Sequence, residues 1–143
     1  MKIRLLCLCF LFLLSGCSQS FEKDNVNLSK LEPKLRTFYD VPLVDTSDSL
    51  STELKIELAQ IEDKIILVSH FTYPKQFIVL VHSIDPQWND LFHQYIEQLK
   101  LDSQMMKNND YYDQHTKIGT IHQYTYFIVS ENSEDVINYL LGK

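Results

Sequence analysis

Two short, unbroken runs of large apolar residues constrain the fold of this chain more than any other feature. Residues 65–68 read Ile-Ile-Leu-Val and residues 77–81 read Phe-Ile-Val-Leu-Val. Side chains of a strand point alternately to the two faces of a sheet, so a strand that is apolar at every position must be covered on both faces. Pro74 marks a turn between the runs, and we predict a β-hairpin with strands at 65–71 and 76–83.

Three segments carry apolar residues at helical spacing. The strongest follows Asp85-Pro86, a capping carboxylate with proline at the first helical position, and predicts a helix over 86–101, with an extension to residue 106 left open. Weaker patterns predict a helix over 50–61 and a final helix that begins at Asn132 or Ser133 and stops at Gly142. The apolar face of the strongest helix contains Trp88, Leu91, Phe92, Tyr95, Ile96 and Leu99.

A second hairpin is predicted from strands at 117–121 and 124–130. Neither His122 nor Gln123 between them is a good two-residue turn former, so a longer or bulged connection is also open. Residues 110–113 are predicted to be a polar loop. The resulting order, α-β-β-α-β-β-α, predicts an α+β fold with an antiparallel sheet of about four strands and helices packed on it.

The domain boundaries are predicted from the polar composition of the N-terminal third. Residues 18–31 resemble a flexible tether in composition, and residues 35–44 fit either an edge strand broken by Pro42 or an extended arm. We therefore expect a tether over 17–46 and a single globular domain over 47–143, a length that suits one domain and is too short for two.

The first sixteen residues have the composition of an export signal. Lys2 and Arg4 precede ten consecutive apolar residues, 5–14. Ten helical residues reach only about 15 Å, half the thickness of a bilayer core, so the run fits the apolar region of a signal peptide better than a membrane span. Small residues follow it directly, in the order Leu14-Ser15-Gly16-Cys17.

These four residues resemble the lipobox of bacterial lipoproteins. The resemblance implies a diacylglyceryl thioether on the Cys17 sulfur, cleavage before Cys17, and acylation of the new amino group, for example with palmitate. Two or three acyl chains on one residue anchor a protein far more firmly than one chain does. In enteric-type lipoproteins an aspartate after the cysteine marks retention in the inner membrane, so Ser18 implies sorting to the outer membrane, with the domain facing the periplasm.

Composition excludes several classes of function. Without residues 1–16 the chain holds 11 basic and 19 acidic side chains, a net charge of −8, which argues against a nucleic-acid partner. Gly119 and Gly142 are then the only glycines, so a glycine-rich phosphate-binding loop is excluded. Cys17 is then the only cysteine, so the domain has neither a disulfide nor a free thiol.

Candidate catalytic and metal-binding groups are few. Asp110, Asp113 and His115 form the densest ligand-like cluster, but no two histidines have the i, i+4 spacing of a helical metal site, and we interpret the cluster as a solvated loop. Ser69 and His70 are adjacent in a strand and point to opposite faces. No serine has the glycine-flanked setting of a nucleophile elbow. We therefore predict no catalytic residue, no metal and no cofactor besides the covalent lipid.

Aromatic residues offer the remaining recognition signals. We interpret Trp88, Phe92 and Tyr95 as core rather than as a ligand groove. Tyr111 and Tyr112, an adjacent pair in a predicted polar loop, are the predicted contact patch for a partner, because tyrosine is enriched among energetically important interface residues.

Three functions fit these features. The first is a lipid-anchored, non-catalytic protein-binding module, an accessory or adaptor protein of an envelope assembly of the secretion or conjugation type. The second is a lipid-anchored immunity or exclusion protein. The third is a small metal-binding or hydrolytic envelope protein. Fold class alone does not distinguish among them.

Overall fold

A five-stranded antiparallel sheet is the central layer of the protein, in a computed structural model that describes residues 26–54, 61–69, 72, 74–104 and 109–143. The strands lie in the order β1-β2-β3-β5-β4, so β3 and β5 are central and β1 and β4 are the edges. This confirms the predicted α+β class, with one strand more than expected. The strands are β1 (Leu43–Asp45), β2 (Lys64–Ser69), β3 (Phe77–Val81), β4 (Thr116–Ile121) and β5 (Tyr124–Val129).

Helices cover both faces of the sheet. Two of them, α1 (Leu28–Arg36) and α5 (Ser133–Leu140), pack on one face, which we call the α5 face. Three others, α2 (Ser47–Leu54), α3 (Gln87–Gln104) and α4 (Asn109–His115), pack on the opposite face, which we call the α3 face. Within the described residues, no helix combines the length and the apolar character needed to cross a membrane.

The apolar runs divide their side chains between the two faces as predicted. Ile66 and Val68 of β2 belong to the core on the α3 face, whereas Ile65 and Leu67 belong to the core on the α5 face. The five side chains of β3 alternate in the same way, and all five are fully buried. β3 has no polar position, and it avoids exposing apolar side chains to water because helices cover both faces of the sheet.

The predicted tether boundary at residue 46 is wrong, because the globular unit already includes α1 and β1. Leu31 and Leu35, one helical turn apart in α1, are buried against the α5 face of the sheet. Leu43, Val44 and Asp45 form an edge strand that pairs with β2, which agrees with the edge-strand alternative for this segment. The unit therefore begins no later than Leu28.

The two predicted hairpins are present. The first joins β2 to β3, with Leu67 opposite Ile78. The second joins β4 to β5 through a turn of only two residues, with Ile121 opposite Tyr124. The alternative of a longer or bulged connection is wrong, because His122 adopts a left-handed φ of 53° that closes the tight turn.

The helix termini follow the predicted capping signals in part. The Asp85 carboxylate accepts a 3.0 Å hydrogen bond from the Gln87 backbone N–H at the start of α3. Gly142 has a φ of 69° and ends α5, where its N–H bonds the Tyr139 carbonyl. The helix predicted over 50–61 instead begins at Ser47, and residues 55–60 lie outside the described residues.

The ββα arrangement that occurs twice in the chain does not produce two equivalent halves. The unit β2-β3-α3 places its helix on the α3 face, whereas β4-β5-α5 places its helix on the α5 face. A two-fold axis normal to the sheet would keep both helices on one face, so the two units are not related by such an axis.

Candidate functional site

The proposed anchor lies outside the described residues. This applies to Cys17, to the three lipobox residues before it, Leu14, Ser15 and Gly16, and to Ser18. Lipidation and sorting therefore stay predictions. His70, considered above beside Ser69, is also outside the described residues.

The predicted tyrosine patch is wrong for one of its two members. Residues 110–113 are not a loop but part of helix α4, and that helix turns Tyr112 inward. The Tyr112 side chain is 0% exposed, and its hydroxyl oxygen accepts a 3.0 Å hydrogen bond from the Lys75 backbone N–H. Tyr111 is partly buried against the core, and desolvation by burial, the largest effect, raises its pKa to about 12. Tyr112 is therefore a structural contact between α4 and the loop before β3, and the Tyr111 ring packs beside it.

The predicted ligand-like cluster was Asp110, Asp113 and His115, and the last two make separate contacts. The Asp113 carboxylate lies 2.5 Å from the Lys100 ammonium, which also contacts Glu97 at 2.8 Å. Hydrogen bonds from Lys100 to Asp113 and to Glu97 raise the pKa of Lys100, and the bond to Asp113 has the larger effect. His115 packs against the Tyr111 ring, with centroids 4.5 Å apart. Within the described part of the chain, no three His, Cys, Asp or Glu side chains are grouped so that they could hold a metal ion.

One histidine does meet a carboxylate. His82 follows β3, and its Nδ1 lies 3.4 Å from the Asp63 carboxylate. Its Nε2 lies 2.9 Å from the side-chain oxygen of Gln123, and its ring stacks on Tyr124. Neither neighbour is a hydroxyl or thiol that the histidine could activate, and the contacts join the two hairpins to each other.

A groove of about 590 Å³ runs between α2 and α3, on the α3 face of the sheet. Its apolar floor comes from Leu54, Leu91, Leu99 and the ring of Tyr95. Exposed amides and a carboxylate line the α3 side, from Gln94, Gln98 and Asp102. We call this feature the α3 groove.

Three polar side chains meet at one end of the α3 groove. The Tyr95 hydroxyl donates a short hydrogen bond to the Glu53 carboxylate. The Lys75 ammonium lies 3.2 Å from the same carboxylate and 3.4 Å from the Tyr95 hydroxyl oxygen. Burial raises the pKa of Tyr95 strongly, and the hydrogen bond to Glu53 and the charge of Glu53 raise it further. Tyr95 therefore acts as a neutral hydrogen-bond donor throughout the physiological pH range.

Little in the sequence indicates this cluster. Glu53, Lys75 and Tyr95 come from α2, the loop before β3, and α3, and only the packing of these elements brings them together. The helical spacing predicts Tyr95 as core, and its ring does contact Phe77 and Phe127 there. The one available signal is the residue type, because a buried tyrosine hydroxyl usually has a hydrogen-bond partner.

The outer edge of β4 is the second exposed feature that could bind a partner. β4 has six residues, and among the described strands only β5 pairs with it. A smaller pocket of about 340 Å³ runs along its α3 face, lined in part by His93, Lys100, Asp113 and Ile118. Unpaired backbone groups on such an edge are available to another strand.

The opposite edge of the sheet is protected. β1 has only three residues and follows directly on Pro42, which cannot donate a backbone hydrogen bond. The Arg36 guanidinium also donates to the carbonyl oxygen of Leu43. Short length and proline are two of the means by which proteins block an edge. β4 has six residues and no proline, although Lys117 gives it one charged side chain of the kind that also discourages pairing.

Comparison with known proteins found no matching family model, no matching curated protein and no matching solved structure.

Proposed function

We propose that this chain is a bacterial lipoprotein, anchored through lipidated Cys17, whose domain binds a protein partner in the cell envelope and has no catalytic role. It serves as an accessory or adaptor protein of an envelope assembly of the secretion or conjugation type. The lipobox supports the anchor, and the α3 groove supports the binding role.

The chemistry of the α3 groove favours a basic partner. Its floor is apolar, and its described lining holds two carboxylates, of Glu53 and Asp102, against the ammonium of Lys75, which already pairs with Glu53. A lysine or arginine side chain of a partner can lay its aliphatic stem on the apolar floor and keep its charged end near a carboxylate. The net charge of −8 on the chain without its signal steers such a partner toward the domain.

The anchor is tested by metabolic labelling with a fatty acid. The wild-type chain should incorporate the label and fractionate with membranes, whereas Cys17→Ser should do neither. A labelled, membrane-bound Cys17→Ser product would contradict the lipobox interpretation. Ser18→Asp is the matched sorting variant, and in an enteric-type host it should move the labelled protein from the outer to the inner membrane.

The binding role is tested by photo-crosslinking in intact envelopes. A crosslinker at exposed Gln94, on the rim of the α3 groove, should capture one discrete protein. The matched control is exposed Asn138 on α5, which lies on the opposite face of the sheet. Asp102→Lys should abolish capture from residue 94, because it reverses the charge that attracts the partner. Equal capture from both positions, or capture that survives Asp102→Lys, would contradict the proposal.

The identity of the captured protein distinguishes the adaptor role from its main alternative. A component of a secretion or conjugation machine supports the adaptor role. A toxin would instead assign the domain to the immunity or exclusion class and overturn the adaptor proposal.

A further inference from the structure

We propose that two copies of this chain pair along β4, in an antiparallel manner, so that their sheets join into one sheet of ten strands. The occupant of the open edge is thus a second copy of the same protein. Three features carry this inference: the backbone pattern of β4, its side chains, and the position of α1 relative to the sheet.

The backbone pattern shows which groups of β4 are open. Ile121 and Tyr124 close a two-residue turn, so they form a hydrogen-bonded pair, and hydrogen-bonded pairs recur at every second residue. The bond from the Ser130 N–H to the His115 carbonyl, 3.2 Å long, continues the same series. Backbone groups of Lys117 and Gly119 therefore point toward β5, whereas those of Thr116, Ile118 and Thr120 point outward.

The side chains of β4 fit a two-fold axis at Ile118. In that register Ile118 lies opposite its own copy, Thr116 lies opposite Thr120 of the second copy, and Lys117 lies opposite Gly119 of the second copy. Lys117 is the only charged residue in the strand, so no like charges face each other. The Thr116–Thr120 pairs place β-branched residues opposite each other, a residue type that suits a pleated sheet.

The symmetry also fits attachment to one membrane, a point that depends on the proposed lipidation. Antiparallel pairing of two identical edges requires a two-fold axis normal to the sheet, which keeps both α5 faces on the same side. Helix α1 lies on that face in each copy and begins at Leu28, so the first helices of the two copies lie on one side of the joined sheet. Parallel pairing would turn one copy over and place the two α1 helices on opposite sides.

Anchoring strengthens such an association without adding contacts. A single strand pair buries less than the roughly 1,200–2,000 Å² of a standard stable interface, so we expect reversible pairing in solution. Confinement of both copies to one membrane raises their effective concentration, which shifts the same equilibrium toward the pair.

Disulfide crosslinking tests the register directly, because lipidated Cys17 leaves no other thiol in the mature chain. Ile118→Cys should give a covalent dimer on mild oxidation of envelopes, since residue 118 meets its own copy at the axis. Thr120→Cys is the matched control and should not crosslink to itself, because two copies of residue 120 lie four residue positions apart across the pair. A mixture of Thr116→Cys and Thr120→Cys chains should crosslink, which tests the same register without a change at Ile118.

A proline substitution provides a second test. Thr120→Pro removes a backbone N–H that points outward and is not bonded to β5, so the monomer should still fold. A chain that carries both Thr120→Pro and Ile118→Cys should crosslink at least tenfold less than one with Ile118→Cys alone. The proposal is overturned if Ile118→Cys and the mixed chains fail to crosslink, if Thr120→Cys crosslinks to itself equally well, or if the product contains a different protein.

The same crosslinks should form in the purified mature chain carrying Cys17→Ser at high concentration. That result does not require a lipid, and fatty-acid labelling of Cys17 does not require β4, so failure of the pairing and failure of the anchor are distinguishable.

Discussion

The hydroxyl of Tyr39 donates a 3.0 Å hydrogen bond to the backbone carbonyl oxygen of Phe77, in the central strand β3. Tyr39 is buried on the α5 face, and burial raises the pKa of its hydroxyl far above the ordinary value. A residue expected to lie in a tether thus bonds the middle of the sheet. The segment between α1 and β1 is therefore part of the core.

Tyr39→Phe should lower the free energy of unfolding by about 1–2 kcal/mol, because it leaves the Phe77 carbonyl without this donor in a buried setting. Urea denaturation followed by circular dichroism measures the change. The matched control is Tyr139→Phe on α5, where the ring packs on Phe38, and it should stay within about 0.5 kcal/mol of wild type. Equal losses from the two substitutions would contradict a specific role for the Tyr39 bond.

Truncation tests the corrected domain boundary. A chain that begins at Val26 should unfold cooperatively, with a midpoint close to that of the full mature chain. A chain that begins at Ser47 removes α1 and β1, which exposes Ile65 and Leu67 on the α5 face, and it should lose cooperative unfolding and bind a hydrophobic dye. A stable, cooperative chain from Ser47 would restore the original tether prediction.

Gly119 lies at a close approach within the second hairpin. A Cβ atom at this position would lie 2.6 Å from the hydroxyl oxygen and 2.9 Å from Cζ of Tyr126, its cross-strand neighbour. Gly119→Ala should therefore cost about 1–3 kcal/mol of unfolding free energy, the range for overpacked sites. Combining it with Tyr126→Val should recover most of the loss, whereas Thr120→Ala next to it should have little effect. Additive losses in the double variant would rule out the predicted clash.

Alkaline pH should destabilise the domain through its buried tyrosines. Burial and Glu53 raise the pKa of Tyr95 above the value near 10 of an unfolded chain. A raised folded-state pKa contributes stability that is complete below about pH 10 and is lost as pH rises above it. The free energy of unfolding, measured between pH 8 and 11, should fall less steeply above pH 10 in Tyr95→Phe than in wild type. Equal slopes above pH 10 in the two chains would contradict this role of Tyr95.

The strands and the main helix could be predicted because their signals are local. The apolar runs of β2 and β3 and the Asp85-Pro86 start of α3 determine their own structure within a few residues. Helix α1 was not predicted because Pro33 lies inside it and its apolar face is a single set of three residues, Leu28, Leu31 and Leu35, within a polar segment. Its formation depends on the sheet surface that it covers.

The candidate site was less predictable than the fold. Helix α4 is polar along most of its length, and the buried Tyr112 bonds Lys75, which lies 37 residues earlier in the chain. Glu53 and Tyr95 are 42 residues apart and meet only when α2 and α3 pack on one face of the sheet. His122 also adopts a left-handed conformation that its residue type disfavours, because the strands on both sides fix the turn.

The strand order has a consequence for how the protein is made. β5 inserts between β3 and β4, so the central pairing of Phe77 with Val129 joins segments 52 positions apart. A chain that leaves the ribosome N-terminus first cannot close this sheet until β5 has emerged. Until then β3 lacks one of its two neighbouring strands. Because this pairing is distant in sequence, we expect the closing of the sheet to be a late step in folding.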